Sequence, residues 1–162
     1  MNSRHGLLGH ATALIGASIT LVAMVAVVIG PMLMPYGPND SDFFDLLSPP
    51  SWAHPFGTDS FGRDVLTRVL YGARVSLVVS AAGVALATII GTAVGMVAAY
   101  KGGYADLLLM RFADLLFAFP AFVLALFLMV VLGFGTINVA LAIGLIYFPI
   151  FARLARNMTL LV

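Results

Sequence analysis

The chain has 162 residues, 62% of them apolar, a mean hydropathy of +1.08, and eight Lys or Arg against seven Asp with no Glu or Cys. A soluble domain carries about a quarter charged residues, so 9% cannot cover a water-facing surface. This excludes an ordinary soluble enzyme, a nucleic-acid binder and a disordered tail, and the missing cysteine excludes disulfides, thiolate catalysis and Cys-ligated metal.

The gaps between charges organise the chain. His5 to Asn39, Val75 to Tyr100 and Leu115 to Ala152 are 35, 26 and 38 residues without Lys, Arg, Asp or Glu. About 20 apolar residues cross a hydrocarbon core as a helix. The third gap exceeds one span and is divided by the polar break Gly133–Asn138. Four transmembrane helices are therefore predicted near 11–34, 75–100, 107–132 and 138–156, in an all-α membrane protein; a barrel's alternation is absent. A cleavable signal is the rival for the first span. Its apolar run is longer than such a core, and no small-x-small site closes it.

With four spans, Arg4, Lys101, Arg111, Arg153 and Arg156 share one side, against Arg63, Arg68 and Arg74 on the other. Five against three predicts a cytoplasmic N-terminus and an external loop over 35–74. Proline makes the start of that loop extended, and 38–53 reads as a plain linker. From 57 onward, Gly57-Thr58-Asp59-Ser60 offers capping groups, and Phe61, Val65, Leu66, Val69, Leu70 and Ala73 fall on one helical face. A short amphipathic helix follows, on the outer membrane face or packed on its own protein with a solvated outer side, a structural brace in either case, with Asp64 and Arg68 paired four apart.

On the second span, Gly83, Ala87, Gly91, Gly95 and Ala99 recur every four residues, a stripe that lets another helix approach closely, within the chain or across a dimer seam. Pro120 and Pro149 free a carbonyl each and bend the third and fourth spans, as a path, a hinge or shape accommodation. Arg111 and Asp114, three apart, are expected to pair. No ionisable residue falls near mid-span, His5, His10 and His54 are scattered, and no glycine-rich loop precedes Lys-Ser/Thr. The sequence thus offers no catalytic, metal or cofactor site, and uphill transport would need energy from another subunit.

One stretch is far more specific than these patterns. His54-Pro55-Phe56-Gly57-Thr58-Asp59-Ser60-Phe61-Gly62-Arg63-Asp64, with Arg68, Gly72, Arg74 and Ser76, resembles the signature of the C-type inner-membrane permease of dipeptide, oligopeptide and nickel ABC importers. Tyr100–Asp106, Met110–Asp114, Phe119-Pro120 and Ala152–Arg156 match in order and spacing, and Pro31–Pro38 is similar to the start of the family's external loop. The resemblance implies six spans, a B-type partner permease, two ATPase subunits and an external solute-binding protein, with no cofactor of the chain's own. It also implies that 1–34 is the cytoplasmic N-terminus and first span, 35–74 the external loop, and 75–162 three helices of the permease domain. The family's Glu-Ala-Ala loop would follow Ala152–Arg156, so the sequence reads as truncated before it. The expected function is part of a translocation path for peptides or similar small solutes. The alternatives are an ion-coupled secondary transporter or channel subunit, and a membrane anchor whose outer loop binds another protein.

Overall fold

The computed structural model describes residues 4–161, and of residues 4–11 the backbone alone. Met1–Ser3, Val162 and the side chains of Arg4, His5 and His10 lie outside the described part. Five helices follow in order: α1 (Arg4–Leu33), α2 (Val65–Lys101), α3 (Gly103–Phe117), α4 (Ala121–Leu132) and α5 (Thr136–Thr159). Apart from one isolated bridge between Thr58 and Asp64, the described residues contain no β-pairing. Three helices are long and apolar enough to cross a membrane, or up to four if the bent pair α3–α4 is one span. The all-α membrane class read from composition is the class observed.

The chain divides into two compact units, Met1–Val75 and Ser76–Val162. In the first, Thr12–Leu33 of α1 carries no charged residue, and its most apolar stretch is unburied within the protein, while Pro31 near its end is buried. A Cβ at Gly30 would touch the Leu70 side chain at 3.0 Å, so the end of α1 lies against the start of α2.

The amphipathic segment read over 57–74 is not a separate helix. Its apolar and polar positions from Val65 onward are the opening turns of α2, which continues unbroken for 37 residues. Nothing between Tyr71 and Val75 stops a helix: there is no proline, and a lone glycine costs only about 1 kcal/mol. At 1.5 Å per residue α2 is about 55 Å long, well beyond a ~30 Å hydrocarbon core, so its charged ends at Arg68, Arg74 and Lys101 can stand clear of lipid.

In the second unit, the span expected over 107–132 is two helices meeting at 95°. Pro120 is the N-cap of α4, with φ −55° and ψ 129°, rather than a kink within a continuous helix. A proline lacks the N–H the helix needs and pushes the preceding residue out of the α region, which ends α3 at Phe117. At the other end of α4, Asn138 donates its side-chain N–H groups to the carbonyls of Leu132 (2.7 Å) and Gly133 (3.0 Å). That satisfies carbonyls that a helix end leaves open. Pro149 behaves differently: α5 runs through it, and its side chain is fully buried.

The core of this unit is a seam of small residues. Gly83, Ala87, Gly91, Gly95 and Ala98 of α2 are buried, and Ala99 is half-buried. A Cβ at Gly83 would meet Ile143 at 2.6 Å, and one at Gly91 the Phe148 carbonyl oxygen at 2.8 Å. The stripe therefore lies against α5 of the same chain. Phe148 and Ala152 of α5 close on Ala113 of α3, with Val94, Met110 and Leu116 around them, and Phe112 meets Phe148 edge to face at 6.2 Å.

Candidate functional site

Two constellations use the residues that carry chemistry. The first is the folded loop of unit one. Asp42 donates its N–H to the Gly62 carbonyl (3.2 Å), Leu47 to Asp59 (3.1 Å), and Thr58 to Ser48 (3.1 Å). The Thr58 hydroxyl donates to the Asp45 carbonyl and accepts from the Ser48 N–H. Residues 38–53 are thus no plain linker. They are pinned to 54–64 by backbone pairing, which polar side chains spaced irregularly along a loop do not announce.

Inside the loop, the His54 ring stacks on Tyr36 at 4.8 Å and its Nδ1 lies 3.1 Å from Asp64 Oδ1, with Nε2 3.6 Å from Asp45. A carboxylate can only accept, so Nδ1 carries the proton. The other Asp64 oxygen accepts the Thr67 N–H at 2.7 Å and caps the start of α2. Asp59 is a second hub: it accepts the N–H groups of Phe61 and Arg63, and the guanidiniums of Arg63 (2.8 Å) and Arg68 (3.1 Å). Arg68 therefore pairs with Asp59 and not with Asp64, because Asp64 is turned inward to the cap and His54. Phe56 stays exposed, and Gly72, Arg74 and Ser76 lie further along α2. Asp45 and Ser48 complete the loop without having been singled out by the sequence, and Tyr36 joins it from the Pro31–Pro38 stretch.

Burial pushes the Asp64 carboxyl up, but the Thr67 N–H and His54 outweigh it and hold it below the ordinary 3.8. At Asp59 desolvation is likewise outweighed, by Arg63 and two backbone N–H groups, leaving it at about 2. Both groups bind protons more weakly folded than unfolded. Their contribution is complete above the unfolded carboxylate value and is lost as pH falls through the lower folded values. Amide exchange across 42–64, corrected for intrinsic rate, should be flat above pH ~5 and rise between pH ~4 and ~2. A rise centred near neutrality would contradict this account.

The second constellation lies between α3 and α5. Arg153 donates to Asp114 at 2.6 Å while its guanidinium covers the Phe117 ring at 4.4 Å. Arg156 makes two bonds to Asp106. Asp114 thus pairs 39 residues away and not with Arg111, three away on its own helix. Packing of Ala113 against Ala152 brings those carboxylates to α5. A hollow of about 490 Å³ opens beside the pairs, and an apolar one of about 360 Å³ opens between α2, α4 and α5 around Leu86, Leu132 and Phe148. Among the described residues no group of three or more His, Cys, Asp or Glu could hold a metal.

Residues 91–162, which include both ion pairs, match the family described as binding-protein-dependent transport system inner membrane component. A glutathione transport system permease protein of Pectobacterium atrosepticum is 39% identical over 148 residues, 90% of this chain and 49% of the relative. A dipeptide transport system permease protein of Alkalihalophilus pseudofirmus is 38% identical over 90% of the chain and 48% of its own length. A probable D,D-dipeptide transport system permease protein of Escherichia coli K12 is 36% identical over 95% and 52%. The chain is similar to peptide-transport permeases. It spans about half the length of these relatives. The resemblance read from the signature at 54–76 is thereby met by similarity over 90–95% of the chain, and the relatives are transport components by name.

Proposed function

We propose that this chain forms part of the membrane-embedded permease of an ATP-driven importer for peptides or similar small solutes. The observation that carries the reading is similarity over 90–95% of the chain to permeases named for dipeptide and glutathione transport. The α2–α5 seam supports it, since close-packed helices can rock as one body while a path opens beside them. On this reading the partners are a second, B-type permease, two ATPase subunits and an external solute-binding protein, and the chain does no chemistry of its own. The test is co-purification: the complete gene product should carry an ATPase with it, and uptake of a labelled dipeptide should stop when that ATPase is inactivated. Uptake that survives without ATP and collapses with the proton gradient would replace this reading with an ion-coupled one.

The charge distribution supports a cytoplasmic N-terminus, the apolar helices a multi-pass protein, and the description of the matched family the inner membrane. Because the chain contains no cysteine, single substitutions report topology directly. Asp45→Cys should react with an impermeant thiol reagent added outside, and Lys101→Cys should not. The reverse pattern would invert the orientation.

A further inference from the structure

The hollow between α3 and α5 has one cation more than its ion pairs use. Its walls carry three arginines and two aspartates. Asp114 is taken by Arg153 and Asp106 by Arg156. Arg111 is exposed, lines the same hollow, and has no ion pair or hydrogen bond among the described residues. The local excess is one positive charge, held on a guanidinium whose planar fork suits an oxyanion with two free oxygens.

Position narrows the anion. The charge-free stretch runs from Leu115 to Ala152, Arg111 stands just before it and Arg153 just after it, and both borders meet at this hollow. That is where apolar helix surface gives way to charge, the depth of lipid phosphates. Leu107 and Met110 line the hollow too, and Leu108 and Phe112 beside them are exposed apolar surface. A free inorganic anion has no use for those groups, whereas a diacyl lipid covers them. We infer that Arg111, in the hollow it shares with Arg153 and Leu107, binds the phosphate of an anionic phospholipid lying against α3. A phosphodiester carries one negative charge, which matches the excess, and about 490 Å³ admits it with the adjoining glycerol.

The same oxyanion chemistry would serve free phosphate, so the experiment separates the two sources. The delipidated protein in detergent is given phosphatidylglycerol and the retained lipid is counted by native mass spectrometry. One molecule per chain is expected to persist, and Arg111→Gln should weaken retention about tenfold, the scale of one charge-assisted contact. Arg111→Lys should recover part of it, because the charge remains and the fork does not. Since Arg111 makes no hydrogen bond or ion pair among the described residues, an unchanged helical circular dichroism spectrum is expected for both variants. Millimolar inorganic phosphate should leave the lipid bound. If phosphate displaces it, the lipid assignment falls; if Arg111→Gln retains lipid as the wild type does, or if none is retained by either, the site itself falls.

Discussion

Gly95→Ala should cost the second unit about 3 kcal/mol, at the upper end of what overpacking by one methyl does. A Cβ at Gly95 would lie on the Ala152 carbonyl oxygen, with the Arg156 nitrogen at 2.9 Å. Both are backbone atoms inside α5, fixed by that helix's own hydrogen bonds, so no side-chain rotation can make room. Two whole helices would have to separate, and the separation would loosen the Ala113–Phe148–Ala152 cluster that rests on the same part of α5. Lipid gives no hydrophobic drive to close the gap again, since association there depends on packing itself. Thermal unfolding in detergent should shift down markedly for Gly95→Ala. Gly16→Ala, where an added Cβ meets nothing within 4 Å, should be tolerated. Equal transition temperatures for Gly95→Ala and the wild type would mean that the seam is not close-packed.

The stripe that makes this prediction was visible in the sequence, because small residues four apart occupy one face of any helix. The lengths of the first two charge-free gaps likewise placed α1 and α2, since only helix length and hydrocarbon thickness enter that argument, and α5 was placed by the polar break at Gly133–Asn138 that divides the third gap. Hidden from it was every pairing between distant segments. Arg111 and Asp114 sit in register on one turn, yet Asp114 reaches Arg153, because the partner is set by how α3 docks on α5. Local spacing carries no such information. The 95° break at Pro120 was legible as a bend but not as a change of direction, because a proline says where hydrogen bonding stops and not how the next helix packs. In the loop, the signature at 54–64 was legible as a unit, while its contacts with Tyr36, Asp45 and Ser48 were not. They contribute largely through backbone groups and one ring face, which residue identity does not reveal.

That loop is also where a single methyl should do comparable damage, away from the small-residue seam. Gly62 has φ +71°, a conformation that costs an L-residue roughly 1–2 kcal/mol. An added Cβ would in addition lie on the Asp42 carbonyl oxygen. That carbonyl accepts the Asp45 N–H at 3.1 Å, and the Asp42 N–H donates to Gly62, so moving Asp42 breaks two backbone bonds together. Gly62→Ala should therefore cost about 3 kcal/mol in the loop, the backbone term plus the lost pairing. The loss should stay local: α2 is still capped by Asp64 through the Thr67 N–H, and the small-residue seam involves none of these atoms. Amide exchange should rise at Asp42, Asp45 and Leu47 while Gly91–Ala98 stays protected. If protection falls equally in both stretches, the loop is not an independent structural element, and the signature at 54–64 must act through the helices rather than through its own fold.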